Sequence, residues 1–193
     1  MDKMILGISG GKKDGNTDYL VKLALDECKT AGHDVGFLNV SEKEIKSCKD
    51  CGACKKDDCV IEDDMREILL KLENADGIII GSPVYFGNVS SHISLMFERS
   101  LPARRHDFSL KNKVGGGIAV GGSKNGGQEF VLRTITNFFT LHEMVAVGDS
   151  APTAHFGGAG MGKNPGDAAN DEEGIKTCRN LGKKVAEVVS LIK

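Results

Sequence analysis

The stretch "KMILGISGGKKDGNT", residues 3–17, decides the architecture. A short apolar run from Lys3 to Ser9 is ended by Gly10 and Gly11, and beyond the loop the apolar positions change spacing. From Thr17 to about Ala31, Tyr19, Leu20, Leu23, Ala24 and Cys28 fall on one helical face. Strand, glycine loop and helix follow one another, and the rest of the chain repeats the alternation. "HDVGFLNV" (33–40) reads as a second strand weakened by Gly36, and "DDMREILLKLENA" (63–75) as a helix with acids at its start, where the macrodipole favours them. "DGIIIGS" (76–82) is a continuous apolar run of the kind buried on both faces of a parallel sheet. A helix over about 90–100, a strand at 113–121, a helix over 127–141, a strand at 143–149 and a helix from about 171 to 192 complete the series. The expectation is an α/β fold with a doubly wound, five-stranded parallel sheet. The glycine-rich segment 150–169 reads as one long functional loop.

With 193 residues and 40% apolar content, one domain spanning 1–193 is expected. A net charge of −2 provides no positive field for nucleic acid or an anionic membrane surface, so neither is an expected partner. The N-terminal apolar run is too short for a signal h-region, and no later run approaches the about eighteen residues that span a bilayer. A cytoplasmic protein is expected, and in that reducing compartment the six cysteines point to metal or redox chemistry rather than disulfides.

In open parallel sheets the ligand lies beyond the carboxyl ends of the strands, where strand order reverses. Three loops share that edge: "SGGKKDGNT" (9–17), "SPVYFGNVS" (82–90) and "GGSKNGGQE" (121–129). The first resembles a triphosphate loop, but Asn16 stands where lysine would reach the outer phosphates, so a single phosphate at a helix N-terminus fits better. Asn16 or Thr17 acting as a plain helix cap is the alternative. Tyr85 and Phe86 of the second loop suit packing against a planar ring, with Asn88 as a hydrogen-bonding group; a turn shaped by Pro83 and Gly87 is the alternative. Gly122, Ser123, Gly127 and Gln128 allow close backbone approach to a flat ring, unless that loop is merely flexible. Together, a phosphate cradle and two ring-contacting loops describe FMN in a flavodoxin-like fold.

"CKDCGACKKDDC", residues 48–59, sets Cys48, Cys51, Cys54 and Cys59 in a C-x2-C-x2-C-x4-C run after the second strand. Three thiols at three-residue steps can wrap one face of a compact cluster and the fourth can reach the remaining iron, so residues 47–60 read as a [4Fe-4S] insertion. Structural zinc and unligated redox thiols remain alternatives, although zinc knuckles are usually farther apart. Cys28 and Cys178 sit in helical patterns and read as inert.

The cysteine run with the following "DDM", and "ADGIIIGSPVYFGN", "FERS", "LKNKVGGGIAVGGSKNGGQE" and "HFGG", together resemble the archaeal iron-sulfur flavoproteins, relatives of the NADPH-dependent FMN reductases, over nearly the whole chain. The resemblance implies FMN and a [4Fe-4S] cluster in each chain, a homo-oligomer (dimer or tetramer), and electron transfer with ferredoxin as donor. It implies that Ser9, Asn16 and Thr17 hold the phosphate, that Pro83, Tyr85, Phe86, Gly87 and Asn88 line ribityl chain and ring, and that Gly122, Ser123 and Gly127 contact the ring. No catalytic side chain is singled out. Relatives commonly read S-P-R where this chain has Ser9, Gly10 and Gly11, and often carry lysine at Ser94, so this chain lacks those basic side chains toward the phosphate or a neighbour.

The expected activity is electron transfer between a ferredoxin-like donor, the cluster and FMN, and on to oxygen, peroxide or another acceptor. An NAD(P)H-dependent FMN or quinone reductase is the rival within enzymes, and a zinc-stabilised binding module the rival outside them. In the order 2-1-3-4-5 the second strand lies at the sheet's outside, so with strands about 4.8 Å apart the cysteine loop starts roughly 10 Å from the flavin crevice. Communication across a subunit interface, with 150–169 helping to close it, is expected.

Overall fold

The computed structural model describes residues 3–192; residues 1, 2 and 193, the ends of the expected 1–193 unit, lie outside the described residues. Strands β1 (Met4–Ser9), β2 (Asp34–Asn39), β3 (Gly77–Pro83) and β4 (Val114–Gly121) alternate with helices α1 (Asn16–Thr30), α2 (Met65–Asn74), α3 (Ser91–Arg99), α4 (Leu101–Arg105) and α5 (Gln128–Leu141). Strands β5 (Val145–Val147) and β6 (Gly158–Met161) precede α6 (Glu172–Leu191). The sheet is parallel and runs β2-β1-β3-β4-β5, as the sequence predicts.

The fifth strand position differs from expectation. β5 pairs only with the first part of β4, Val114 to Gly116, and β6 continues the edge by pairing with Ile118 to Gly121. The expected strand 143–149 is therefore shorter, and the expected loop 150–169 contains a strand. Residues 148–157 leave the sheet between the two segments and are tied to α6, where Asn180 donates to Thr153 Oγ1 at 2.8 Å and its carbonyl accepts from Ser150 Oγ at 3.2 Å. The helix expected over 90–100 is followed at once by α4, which opens with Pro102 in its first turn, where a missing N–H costs nothing.

Both faces of the sheet are covered. Ile78 and Ile80 of β3 pack with Ile68 and Leu72 of α2, Ile93 and Met96 of α3, and Ile135 and Phe139 of α5. Ile79, on the other face, packs with Leu20, Val21 and Ala24 of α1 and Leu181 and Val185 of α6. Each fully buried isoleucine contributes about 1.5–3 kcal/mol. The pairing brings Ser9, Asn39 and Gly81 level, so β1, β2 and β3 deliver their loops to one edge.

Candidate functional site

At that edge a groove of about 430 Å³ is lined by 11–17, 83–85, Val120, Gly122 and 162–165. Its first wall is the loop between β1 and α1. A Cβ at Gly10 would lie 2.2 Å from Ile93 Cγ1, and one at Gly11 would lie 2.7 Å from Thr17 Oγ1, so only glycine lets this loop lie against α3 and the start of α1. Asn39 Nδ2, at the end of β2, and Ser41 Oγ, in the turn just after it, donate to Gly11 O at 3.0 and 2.9 Å. Asp18 accepts from Asp14 N and from Asn39 Nδ2, each at 2.8 Å. The loop shape is thus held from β2 and from inside α1.

The cap position of α1 is Gly15, which offers no side-chain acceptor. The plain-cap alternative for Asn16 and Thr17 is not what the chain does, and the first-turn N–H groups remain suited to an anion. Asn16 is occupied otherwise. Its Nδ2 donates to Asn164 O at 2.9 Å, and its Oδ1 accepts from Gly166 N at 3.1 Å and Ala168 N at 3.2 Å. The side chain is a clasp for 164–168. Thr17 is buried in the groove wall. Ser9 lies beneath the groove, fully buried, its Oγ accepting from Gly11 N at 3.2 Å.

Of the expected ring residues, Pro83, Tyr85 and Gly122 line the groove. Phe86, Gly87, Asn88, Ser123 and Gly127 lie in the adjoining loops, outside its lining. Tyr85 and Asn88 exchange backbone hydrogen bonds at 3.0 Å each, and Asn88 Oδ1 accepts from Val89 N, so this hairpin is closed by its own groups. Phe86 is fully exposed. Gln128 holds the β4–α5 loop by donating to Ser123 O and accepting from Gly126 N, both at 2.8 Å. The sequence reading missed Lys12, Lys163, Asn164 and Pro165 on the rim. Two lysines beside a glycine loop were visible at 12 and 13; the contribution of 162–165 depends on the Asn16 clasp and has no local signal.

The four thiols occupy a second place. Their loop is closed at a neck where Glu44 N donates to Asp64 Oδ2 at 2.8 Å and Asp64 N to Glu44 O at 3.1 Å. Asp63 accepts from Lys46 N at 2.9 Å and Met65 N at 3.1 Å. It also meets Arg99 Nη1 at 2.5 Å in a buried ion pair, with side chains 0% and 2% exposed. Burial opposes the charge of Asp63, but Arg99 and the two backbone donors win and hold its carboxyl below the ordinary value. Arg99 continues through the neck, donating to Lys46 O at 2.7 Å and to Cys59 Sγ at 3.5 Å, while its buried Nε has no partner. Glu98, beside it, accepts from Cys48 N, and Arg105 Nη1 donates to Cys54 Sγ at 2.8 Å.

All six cysteines are free thiols. Among the described residues no three His, Cys, Asp or Glu side chains converge into a coordination shell, so holding a metal requires the loop to close further. The donor chemistry nevertheless fits an anionic centre: four thiols lie in one loop, two of them already meet guanidinium groups, and an unpartnered Arg99 Nε is buried at its neck. Cys28 and Cys178 are buried, and burial pushes both thiols up to about 12, away from the reactive thiolate form. None of residues 47–60 lines the groove. No helix among the described residues is long and apolar enough to cross a membrane.

Comparison with known proteins gives three findings. The NADPH-dependent FMN reductase family matches residues 4–158. An iron-sulfur flavoprotein of Methanocaldococcus jannaschii is 52% identical over 98% of both chains, and one of Methanosarcina thermophila is 43% identical over 97% of this chain and 96% of that one. Among solved structures, a flavodoxin-type WrbA-like protein of Agrobacterium tumefaciens superposes with a TM-score of 0.69 over the full length of both chains at 17% identity, a likeness of fold.

Proposed function

Because the chain belongs to the NADPH-dependent FMN reductase family and, within it, to the iron-sulfur flavoproteins, we propose that it passes electrons between a ferredoxin-like donor, a [4Fe-4S] cluster and FMN. It is a flavin-dependent oxidoreductase. The observation that carries the finer reading is the presence of two sites of different chemistry in one chain: a glycine-walled groove at an uncapped helix N-terminus, and a thiol loop met by two arginines.

In this reading the N–H groups at the start of α1 and the Thr17 hydroxyl take the FMN phosphate, with Lys12 and Lys163 adding positive charge at the rim. Pro83 to Asn88 and Gly122 to Gly127 take the ribityl chain and ring. Cys48, Cys51, Cys54 and Cys59 hold the cluster, and 1–193 acts as one unit in which 47–60 is the cluster-bearing insertion. When bound, the two groups supply one- and two-electron redox chemistry. The chain binds them, orients them and fixes the charge around them. Since no residue of 47–60 lines the groove, a homo-oligomer, dimer or tetramer, in which one chain's thiol loop approaches another's groove fits the layout best. Oxygen, peroxide or a further redox partner accepts the electrons, in the cytoplasm.

Anaerobic purification followed by iron and flavin analysis tests the reading. About four iron and one FMN per chain are expected, because four thiolates match one cubane and the three loops form one flavin site. Reduced ferredoxin is expected to bleach the flavin. A colourless protein with stoichiometric zinc rejects the proposal, and bleaching by NAD(P)H but not by ferredoxin replaces it with a nicotinamide-dependent reductase.

A further inference from the structure

The "FERS" segment at the end of α3 places two consecutive side chains, Glu98 and Arg99, on opposite ends of the thiol loop: Glu98 on the backbone N–H of Cys48, and Arg99 on Cys59 Sγ and Lys46 O. Arg105, from α4, reaches Cys54 Sγ. Two of the four sulfurs therefore carry a guanidinium N–H donor from outside their own loop. We infer that Arg99 and Arg105 are positioning residues that set the reduction potential of the iron-sulfur cluster. The inference rests on the cluster reading of the four thiols.

An iron-sulfur centre on four thiolates gains one negative charge when it takes up one electron. A cationic donor on a ligand sulfur stabilises the more negative state more than the less negative one, so each N–H···S bond raises the potential. The two arginines do not contribute equally. Arg99 is buried but already neutralised by Asp63, so its effect at Cys59 comes mainly through the oriented N–H dipole. Among the described residues Arg105 forms no ion pair, and its full charge acts at Cys54 from the shorter distance of 2.8 Å. Arg105 is expected to move the potential more. Arg99 also ties both ends of the neck, which makes its role partly one of shape.

The test is an EPR-monitored redox titration of the holoprotein, with iron and FMN counted in every sample. Arg105→Met is expected to keep iron and flavin while lowering the equilibrium constant for cluster reduction about tenfold, a shift of about 59 mV to more negative potential for one electron. The flavin potential should stay in place, and Arg105→Lys should restore part of the shift, because it returns the charge without the planar fork. Arg99→Lys should shift the potential less than Arg105→Met does. If Arg99→Lys fails to fold because Asp63 loses its clamp, the Arg105 pair decides alone. An unmoved cluster potential in iron-replete Arg105→Met overturns the proposal, as does an equal shift in Arg105→Lys and Arg105→Met. Loss of iron from both Arg105 variants also overturns it, by making Arg105 a structural clamp. Wild-type protein without an iron-sulfur cluster removes the underlying cluster reading instead, and its iron analysis shows which of the two has failed.

Discussion

His142, at the end of α5, is buried against Phe138 with ring centroids 4.7 Å apart, and its Nε2 lies 2.9 Å from Ser100 Oγ. Ser100 spends its own proton on Phe97 O, so Nε2 is the donor and the buried Nδ1 is left bare and unpartnered. Burial, reinforced by the positive charge of Arg104, pushes the imidazole from its ordinary 6.5 down to about 4. The unfolded chain takes up a proton that the folded chain refuses, so this contribution to stability is complete above about pH 6.5 and is lost as pH falls toward 4, by up to about 3 kcal/mol. In His142→Gln, which can still donate to Ser100, urea unfolding at pH 7 and pH 5 should give a smaller stability difference than in the wild type. Equal differences in the two proteins would show that His142 is not the group responsible. Ser100 belongs to the same "FERS" segment as Arg99, so one short stretch serves the thiol loop on one side and the α5 packing on the other.

At the scale of elements, the groove depends on the loop after β6 being held to the start of α1. Asn16→Ala removes three hydrogen bonds to 164–168, each worth about 1 kcal/mol. It is expected to weaken FMN binding about tenfold and to open the Lys163 bond to trypsin, while iron content stays unchanged. Undiminished flavin affinity together with unchanged proteolysis would show that the clasp does not shape the site. The alternating strands and helices were legible because β1, β3 and β4 are continuous apolar runs buried on both faces. β6 was not legible. "GAGM" reads as loop because its glycines are demanded by close packing: a Cβ at Gly160 would lie 2.3 Å from Leu20 Cδ1, and one at Gly158 would lie 2.7 Å from Cys178 Sγ. α4 was hidden because Pro102 stands beside the end of α3 and starts a helix instead of closing one. The cysteines were legible from spacing alone, whereas their arginines were not, since Arg99 lies 40 residues from Cys59 and Arg105 lies 51 from Cys54.

At the scale of the whole molecule, groove and thiol loop occupy separate parts of one chain, the former at the strand ends and the latter against the C-terminal residues of α3 and against α4. If electrons cross between copies, a Cys54→Ala chain co-assembled with an Asn16→Ala/Thr17→Ala chain should recover ferredoxin-driven flavin reduction that neither has alone. Verified mixed oligomers no more active than the separate variants would confine transfer to a single chain. The neck of the thiol loop has a consequence for descent. Since Glu44 and Asp64 already join across its base and Ile45 stays in the core, residues 46–63 can be shortened to a plain turn, or acquired, without disturbing the sheet that carries the groove. Such an exchange would not be free of the rest of the chain: with Asp63 and Cys59 gone, Arg99 would keep a buried charge facing nothing, so a lineage that discards the loop is expected to replace that arginine in the same step.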